Sequence, residues 1–417
     1  MKIFELTPAI ESKLLRSRRT ADAEAERASA KILADVRKRG DTAVFAWTRK
    51  LDGLRLDAKS VWVTREEKAA ALKIVPKELL AAIDHAARNI RAVARRQRPE
   101  EWSLGVEPGV EVRQRVEPLE SAGCYVPGGR FSLVSTLLMT AIPAQEAGVE
   151  EIIVTSPKPG AAVLAAAEAL GIERVARIGG AQAIGALAYG TRAIPRVAKI
   201  CGPGNRYVAA AKRLVSGDCS IDMLAGPTET IVFGSKGDAR FIAADLLAQS
   251  EHDPDAVAIF VTTSKSLAQS VSKEMTRQLA ALPKENPSRK SVPRNGAVLL
   301  AKSDGAAVKF VNRFAPEHLT ILDSEARLEP ELHSAGSVFL GEWSAQTFGD
   351  YASGTNHVLP TGGAARAKGG LSTSDFLKCV TVQKISRVGF EALAPVAREL
   401  AEAEGLVAHA RSIEVRR

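Results

Sequence analysis

Polar and apolar positions in the first hundred residues alternate with the spacing of helices. The run ADAEAERASAKILADVRKRG at 21–40 ends in a glycine, the residue that most often follows the last turn of a helix. Thr64 followed by Glu67 forms a capping box ahead of KAAALKIV, and Pro76 opens a third run, KELLAAIDHAARNIRAVARR. We therefore predict that this region is helical.

From about residue 110 the pattern changes to short apolar runs that alternate with helical stretches. Such alternation is typical of parallel βαβ units, in which a crossover helix follows each buried strand. The pattern predicts strands at EIIVTS (151–156), RVARIGG (174–180), VAKICGPG (197–204), TIVFG (230–234), AVAIFVTT (256–263), AVLLAK (297–302), LTIL (319–322) and SVFLGE (337–342). It indicates two open α/β sheets with a seam near 227–229, and then helix without strands over 371–417.

Three glycine-rich turns follow predicted strands, YVPGGR at 125–130, RIGGAQ at 177–182 and CGPGNRY at 201–207. Open α/β sheets bind ligands in the crevice where strands give way to helices, and glycine lets the backbone approach a phosphate or a ring. None of the turns matches GxGxxG. The composition therefore indicates a ligand crevice and does not by itself identify a dinucleotide.

The totals describe a globular protein of more than one domain. A chain of 417 residues exceeds what one hydrophobic core usually serves, and 46% apolar with 25% charged residues is ordinary for such proteins. No apolar run has the length that spans a bilayer, and a glutamate and a proline interrupt MKIFELTPAIESKLL where a signal peptide needs an apolar core. We expect no membrane partner.

Charge and cysteine usage indicate which partners and which cellular compartment to expect. The formal charge of +9 includes arginine clusters at 16–19 and 91–98 without interleaved aromatic side chains, so we expect no nucleic-acid partner. The four cysteines are scattered without a CxxC pair, which argues against a disulfide framework or a structural zinc ribbon. A reducing, cytoplasmic location fits these features best.

The dipeptide Glu-His occurs twice in the chain. Its first copy lies in QSEHDP at 249–254, at the end of a helical run that Pro254 terminates. Gln249 and His252 are three residues apart, so their side chains share a helix face and could converge on a metal ion. A polar helix end in solvent explains the same spacing, and spacing alone favours that interpretation.

The second copy lies in APEHLT at 315–320, where Glu317 and His318 follow a proline and precede an apolar strand. Catalytic groups collect in such connections. A neutral imidazole beside a carboxylate can accept a proton near pH 7, and the carboxylate can orient water. Adjacent strand residues face opposite ways, so joint action requires the pair to lie in the turn; a polar loop is the alternative.

Two further segments combine acidic residues with histidine. Asp350 and His357 lie in GDYASGTNHVLPTGG at 349–363, which is too irregular for a core element. Glu404 and His409 lie in AEAEGLVAH near the C-terminus. The remaining histidines, at 85 and 333, have surroundings typical of helix surfaces and helix ends.

Nine segments, in order along the chain, together resemble the histidinol dehydrogenase family over roughly residues 20–410. They are CYVPGGRFSLVSTLLMTAIPAQEAGVEEIIVTSP, RIGGAQAIGALAYGT, KICGPGNRYVAAAKRLV, IDMLAGPTE, DLLAQSEHDPDA, FAPEHL, AGSVFLGEW, GDYASGTNHVLPTGG and AEGLVAH. The resemblance implies a zinc-dependent enzyme that oxidises L-histidinol to L-histidine in two NAD-dependent steps, through an aldehyde retained in the site.

Residue by residue, the resemblance implies zinc ligands at Gln249, His252, Asp350 and His409, and an acid/base pair at Glu317 and His318. It implies one NAD contact in each glycine-rich turn, at Tyr125, Gln182 and Asn205. The substrate is expected to contact the zinc ligands, the acid/base pair and, in addition, Thr228, His357 and Glu404. In this scheme His318 removes the alcohol proton and Glu317 activates water for attack on the aldehyde.

The resemblance also implies an α/β fold of two incomplete Rossmann-like domains with open parallel sheets, one inserted in the other. We expect an N-terminal segment at 1–20, a zinc-bearing domain at 21–123 and 229–370, an NAD-binding domain at 124–228, and a helical C-terminal segment at 371–417. The family forms homodimers in which this last segment reaches the partner's site.

Two departures from the family pattern bear on the substrate. AGPTE stands where AGPSE is usual, and EHDP replaces EHGP, which places Asp253 beside a proposed ligand. One alternative is a paralogous zinc- and NAD-dependent dehydrogenase of another small polar alcohol, such as a sulfonated diol. Another is a catalytically silent nucleotide- or metal-binding protein, which the presence of Glu317 and His318 argues against.

Overall fold

The computed structural model of the protein describes residues 1–18, 22–128 and 133–417. These residues form two open parallel sheets, each covered by helices on both faces, and one small antiparallel sheet. The end of the glycine-rich turn predicted at 125–130 and the domain boundary expected at residue 20 lie outside the described residues. The prediction of two open α/β sheets is confirmed.

The larger sheet has six parallel strands. In spatial order they are β1 (Lys2–Glu5), β11 (Ala297–Leu300), β10 (Val257–Thr262), β9 (Glu229–Phe233), β12 (His318–Ile321) and β13 (Ser337–Leu340). Its helices are α1 (Pro8–Ser17), α10 (Ala239–Ser250), α11 (Lys265–Ala281), α12 (Ser288–Asn295), α13 (Asp304–Phe314) and α14 (Gln346–Tyr351).

Alternation along each strand explains how this sheet buries both faces. Ile231 and Phe233 of β9 pack with α1 and α13, whereas Val232 packs with α10, α11 and α12 on the opposite face. A strand that is buried on both sides must be apolar throughout, which is why the short apolar runs of the sequence predicted β9 to β13 correctly, whereas β1 was not predicted.

The second sheet has five parallel strands and lies between β1 and β9 in the sequence. In spatial order they are β6 (Arg174–Ala176), β5 (Glu151–Thr155), β4 (Ser121–Tyr125), β7 (Lys199–Cys201) and β8 (Ser220–Ile221). One face is covered by α5 (Lys77–Arg96), α6 (Val134–Ala147) and α7 (Ala161–Ala169), and the other by α2 (Ala23–Arg39), α3 (Asp41–Asp52), α8 (Gly180–Tyr189) and α9 (Arg206–Val215). Helix α4 (Arg65–Ile74) packs on α7.

The helices predicted in the first hundred residues are present, but most of them cover a different sheet from the one expected. Helices α2 to α5 pack around the five-stranded sheet, whereas we expected residues 21–123 to accompany the six-stranded sheet. The apolar face of α2, formed by Ile32, Leu33 and Val36, is buried against α8 and α9. The N-terminal segment was expected to be helical, yet it also adds β1 to the edge of the six-stranded sheet.

The C-terminal segment departs from the prediction of helix without strands. Residues Leu377–Ile385 form β14, which pairs antiparallel with β3 (Val110–Pro118), and β3 pairs with β2 (Trp102–Glu107). The alternating apolar and polar residues of KCVTVQKI suit a half-exposed strand, and its lysines obscured that pattern. Helices α15 (Arg387–Ala403) and α16 (Val407–Glu414) follow and pack mainly on each other.

Hydrogen bonds join the two parallel-sheet units along a boundary that we call the cleft. Asn356 Nδ2 donates to the carbonyl of Met139 in α6 at 2.7 Å, and Lys368 Nζ donates to the carbonyl of Asp222 at 2.8 Å. Asp222 directly follows β8, so the carboxyl edge of the five-stranded sheet lies at this cleft. Among the described residues, none of the helices combines the length and apolar character that crossing a bilayer requires.

Candidate functional site

The acid/base pair predicted from the sequence lies where the order of the six strands reverses. Strand β9 has β10 on one side and β12 on the other, and His318 is the first residue of β12. Glu317 lies in the connection just before it. Open α/β sheets usually bind ligands at the carboxyl ends of their strands. Here the pair lies at the amino ends, facing the cleft between the two units.

Glu317 is buried and held by one backbone donor. The amide of Glu229 donates to Glu317 Oε2 at 3.0 Å. Burial raises the pKa of Glu317 to about 8, although the neighbouring His318 imidazole and the Glu229 amide oppose the shift. This carboxyl group therefore changes its charge close to neutral pH.

His318 is buried beside Glu317 and fixed by two contacts. Its Nε2 lies 3.4 Å from Asp350 Oδ1, and its ring stacks on Phe339 with centroids 6.1 Å apart. Its Nδ1 is 3.8 Å from Glu317 Oε2 and has no hydrogen-bond partner among the described residues. Burial lowers the pKa of His318, but the carboxylates of Glu317 and Asp350 outweigh it and raise the pKa overall.

The sequence predicted that joint action requires both residues to lie in the turn, and the structure differs, because Glu317 lies in the connection whereas His318 is the first residue of β12. The two side chains are nevertheless close to each other. His318 Nδ1 lies 3.8 Å from Glu317 Oε2, so both groups can act on the same bound molecule. A solvated polar loop does not describe this arrangement, because both side chains are buried.

Gln249, at the end of α10, is buried, and its Nε2 donates to Asp350 Oδ2 at 2.9 Å. A solvated helix end therefore does not describe Gln249. Burial raises the pKa of Asp350, but hydrogen bonds from His318 and Gln249 help to lower it overall, so the carboxylate stays charged. His252 lies just beyond the helix and is exposed to solvent.

The donor set here fits a metal ion only in part. Asp350 and Glu317 are buried carboxylates whose salt-bridge partner among the described residues is His318, and not lysine or arginine. Buried carboxylates of this kind favour a compensating cation. Gln249, His252 and Asp350 supply the oxygen and nitrogen donors that zinc accepts. Within the described part of a single chain, however, no three His, Cys, Asp or Glu side chains are arranged so that they could hold a metal ion.

His357 connects this cluster to the other unit. Its Nδ1 lies 2.9 Å from the backbone oxygen of Asp350, and its Nε2 lies 3.5 Å from Thr136 Oγ1 at the start of α6. Burial lowers the pKa of His357, which favours the neutral ring that donates from Nδ1 and accepts at Nε2. Thr228 is partly buried directly before β9, next to the residue whose amide holds Glu317.

Glu404 and His409 are not brought to this site in a single chain. Glu404 caps α15 and His409 lies in α16, and both are exposed to solvent. Of the four residues expected to bind zinc, the chain therefore places Gln249 and Asp350 in contact and His252 beside them, and leaves His409 outside.

The three residues expected to contact NAD lie at the carboxyl edge of the five-stranded sheet. Tyr125 ends β4, where its Oη accepts from the amide of Gly180 at 3.1 Å and burial raises its pKa to about 12. Gln182 Nε2 donates to Asp52 Oδ2 at 3.2 Å, and Gln182 Oε1 is buried without a partner among the described residues. Asn205 is exposed and caps α9.

These positions surround the point where the order of the five strands reverses, between β4 and β7. Gly202, just after β7, has φ +108, and a Cβ there would lie 2.1 Å from the carbonyl oxygen of Tyr125. Only glycine allows these two strand ends to approach so closely. Strand-order reversal, close backbone approach and an orphaned amide oxygen are the features of a ligand crevice.

Two residues that pack against the acid/base cluster or hold its strands together were not predicted from the sequence. Gln346 bridges the threonines of two strands, accepting from Thr230 Oγ1 and donating to Thr320 Oγ1, each at 2.9 Å. Its position four residues before Asp350 on one helical run was the available signal. Phe339, which stacks on His318, belongs to a strand that was predicted only as an apolar run.

The chain matches a known protein family over nearly its whole length. The family model for histidinol dehydrogenase matches residues 15–417. Histidinol dehydrogenase of Methanosarcina mazei is 46% identical over 394 residues, which cover 92% of this chain and 90% of that protein. The Aquifex aeolicus histidinol dehydrogenase is 44% identical over 396 residues, covering 94% of this chain and 93% of that protein.

A solved structure extends the similarity to the whole fold. The crystal structure of histidinol dehydrogenase from Elizabethkingia anophelis matches with a TM-score of 0.94 and 35% identity, covering 100% of this chain and 98% of that chain. The resemblance that the sequence motifs indicated is confirmed. This chain belongs to the histidinol dehydrogenase family of NAD-dependent oxidoreductases.

Proposed function

We propose that the protein is a zinc-dependent histidinol dehydrogenase that completes histidine biosynthesis in the cytoplasm. L-Histidinol and two NAD⁺ with one water yield L-histidine, two NADH and three protons, with L-histidinal as the retained intermediate. The observation that carries the proposal is the buried contact of Glu317, His318, Asp350 and Gln249 at the cleft between the two units of a chain of this family. The four free cysteines are consistent with a reducing compartment.

Purified protein incubated with histidinol and NAD⁺ tests this directly. We expect two NADH for each histidinol consumed and histidine as the product. A single NADH, with the aldehyde released, would contradict the four-electron reaction. NADH formed from another small polar alcohol but not from histidinol would contradict the substrate.

The residues that would hold zinc are Gln249, His252 and Asp350 of one chain with His409 of a second copy. When bound, the zinc supplies a Lewis-acidic centre that orients the substrate's nitrogen atoms. Thr228, His357 and Glu404 would contact the rest of the substrate. The neutral ring of His357, anchored through Nδ1, offers Nε2 as an acceptor for a ligand N–H.

Tyr125, Gln182 and Asn205 would hold NAD⁺ across the carboxyl edge of the five-stranded sheet. When bound, NAD⁺ supplies the hydride acceptor for both steps. The orphaned Gln182 Oε1 and the left-handed Gly202 backbone are consistent with a ligand at this edge. Because this edge faces the cleft, the cofactor and the acid/base pair would meet between the two units.

In this proposal His318 removes the alcohol proton in the first step. Its Nε2 approaches Asp350, so the tautomer with the proton on Nε2 leaves the lone pair of Nδ1 free. That lone pair accepts the hydroxyl proton while hydride leaves the carbon. The neighbouring carboxylates stabilise the imidazolium that forms, which is the direction of the pKa shift of His318.

In this proposal Glu317 activates water in the second step. Its carboxylate takes a proton from water as the oxygen attacks the aldehyde carbon, and the resulting hydrate loses the second hydride. A pKa of about 8 suits this work, since a general base is most effective when its pKa lies near the operating pH.

We predict that Glu317→Gln slows oxidation of histidinal far more than that of histidinol. The amide preserves the shape and the acceptor for the Glu229 amide but cannot take a proton from water. Loss of a general base typically costs on the order of a hundredfold or more in rate. NADH formation from each substrate in single-turnover experiments measures the two steps separately.

The exposed Glu331 offers a matched control, because Glu331→Gln makes the same change outside the site. It should leave both rates unaltered. Equal losses in the two half-reactions of Glu317→Gln would contradict the division of labour between Glu317 and His318.

We also predict that aldehyde oxidation does not require cysteine. Burial raises the pKa of the Cys219 thiol to about 11, and the contact with Cys124 together with burial raises that of Cys201. Cys379 is exposed on β14 in the antiparallel sheet. A variant with all four replaced by alanine should oxidise histidinal if circular dichroism shows it folded, and a folded variant without this activity would refute attack by water.

A homodimer with shared active sites is part of the proposal. Helices α15 and α16 and the turn between them expose apolar side chains that a single chain leaves in water, namely Val388, Val396, Leu400, Leu406 and Val407. One face of β2 does the same with Trp102, Leu104 and Val106. Apolar surface of this extent favours burial against another subunit, and α15 and α16 carry Glu404 and His409.

A further inference from the structure

A charged side chain of the N-terminal segment, that of Arg18, is buried in the core near the acid/base pair. Arg18, which follows α1, forms a salt bridge with Glu229, and both side chains are only 4% exposed. Arg18 Nε donates to Glu229 Oε1 at 2.5 Å, and its Nη2 donates to Oε2. A bidentate pair of this kind fixes both partners in position.

The same guanidinium also holds the turn that leads into Glu317. Arg18 donates from Nη1 to the carbonyl of Phe314 and from Nη2 to that of Ala315, the latter at 3.4 Å. Its carbon lies 3.7 Å from the centre of the Phe314 ring. Two carbonyls, one carboxylate and one aromatic face therefore meet a single planar cation, which lysine could not replace.

The turn at Ala315 needs such support because its backbone is strained. Ala315 has φ +51 and ψ +70, in the left-handed region that a residue with a Cβ rarely adopts. It is also fully buried. Glu317 follows two residues later. The conformation of this turn therefore sets the position of the Glu317 backbone, and with it the position of the carboxylate.

Glu229 connects the guanidinium to the carboxylate of Glu317 by a second route. Its side chain is held by Arg18 and accepts from the amide of Gly362 at 3.2 Å, and its own amide donates to Glu317 Oε2 at 3.0 Å. The partner of Arg18 is thus the residue whose backbone orients Glu317. His318 differs, because it is aligned with Thr230 and Ser337 within the parallel strands.

We infer that Arg18 is a positioning residue for Glu317, acting through the Phe314–Ala315 turn and through Glu229, and that it serves the aldehyde step more than the alcohol step. The inference rests on the proposed function, in which Glu317 activates water. Loss of Arg18 loosens the approach of Glu317 while His318 stays aligned in the sheet. A displacement of about 1 Å at a catalytic group can cost on the order of a hundredfold in rate.

Arg18→Lys tests this by keeping the charge and removing the planar fork. We expect the rate constant for histidinal oxidation to fall roughly ten- to a hundredfold, with KM for histidinal and the first NADH from histidinol changed by less than about threefold. Arg16→Lys is the matched control, because Arg16 is exposed in the last turn of α1, two residues before Arg18, and it should behave as the unaltered protein. A role in stability alone would lower the amount of active enzyme and both half-reactions together.

Arg18→Met combined with Glu229→Gln removes both buried charges and leaves neither unpaired, so it should fold even if Arg18→Lys does not. It should show the same selective loss. Normal histidinal oxidation in either folded variant, or equal loss in both half-reactions, would overturn the inference. Failure of the unaltered protein to oxidise histidinol would instead refute the proposed function, so the two outcomes are distinct.

Discussion

Chelation of the metal is expected to abolish histidinol oxidation while both parallel sheets stay folded. The proposed ligands lie at the ends of elements, with Gln249 in the last turn of α10, His252 beyond it and Asp350 in the short helix α14. The cores of the sheet are instead made of apolar side chains such as Ile231 and Phe260. Removing an ion from the periphery of this unit therefore should not remove its core.

The apo protein should nevertheless be less stable than the loaded one. A ligand present at a thousand times its dissociation constant stabilises the folded state by about 4 kcal/mol, and this contribution disappears with the metal. Asp350 keeps the hydrogen bond that it accepts from Gln249 and its contact with His318, which limits the cost of leaving the carboxylate without a cation. A lower unfolding temperature with an unchanged circular dichroism spectrum is the expected signature.

Three measurements on one sample decide the matter: metal content, circular dichroism and NADH formation from histidinol. Adding zinc back should restore the rate, and adding zinc to protein that was never treated with chelator serves as the control. Full turnover in protein that elemental analysis shows to be metal-free would remove zinc from the proposed function.

The sequence predicted the parallel strands well because burial on both faces demands unbroken apolar runs. VAIFV at 257–261 and TIVF at 230–233 are short apolar runs separated by helical stretches, which is the pattern of parallel strands buried on both faces. The sequence was less informative about β14, where a half-exposed strand includes lysine, threonine and glutamine. Its structure depends on pairing with β3, which lies more than 250 residues earlier in the chain. The local sequence pattern gives no information about that partner.

The same limit applies to the helices of the first hundred residues. Their amphipathic faces predicted helices correctly, but an apolar face does not specify which sheet it will cover. Chain proximity favours neither unit, because this region lies between β1 of the six-stranded sheet and β4 of the five-stranded one. Only the packing of residues such as Leu33 against α8 and α9 shows the assignment.

At the site, spacing identified candidates and tertiary contact selected among them. Local spacing left Gln249 open between a metal ligand and a solvated helix end, and the hydrogen bond to Asp350, 101 residues away, excludes the second. Arg18 is a clearer case of what sequence cannot show. In the sequence it belongs to the arginine cluster at 16–19, and nothing local distinguishes it from Arg16.

A mixture of two inactive proteins is expected to regain activity. Neither His409→Ala nor His318→Ala should oxidise histidinol alone, since one lacks a proposed zinc ligand and the other the proposed base for the alcohol proton. After subunit exchange, a mixed dimer has one site that receives both defects and one that receives neither. With random exchange, half the dimers are mixed and half their sites are intact, so about a quarter of the normal activity should appear.

The expectation follows from where the structure leaves His409. In a single chain α16 is exposed, and His409 belongs to a helical pair that packs mainly on itself. Gln249, His252 and Asp350 give an incomplete ligand set, and the fourth proposed ligand lies on the segment whose apolar side chains remain in water. Docking that segment onto a second copy would bury its apolar face and complete both sites at once.

A second mixture provides the matched control. His318 and Gln249 both belong to the body of the same chain, so mixing His318→Ala with Gln249→Ala leaves each site of a mixed dimer with one defect. This pair should stay inactive under the conditions that restore the first pair. Differently tagged chains, purified through both tags, show that mixed dimers have formed. Confirmed mixed dimers of the first pair without activity would mean that His409 serves its own chain, and activity in the second pair would mean that the recovery does not arise from exchange of the C-terminal segment.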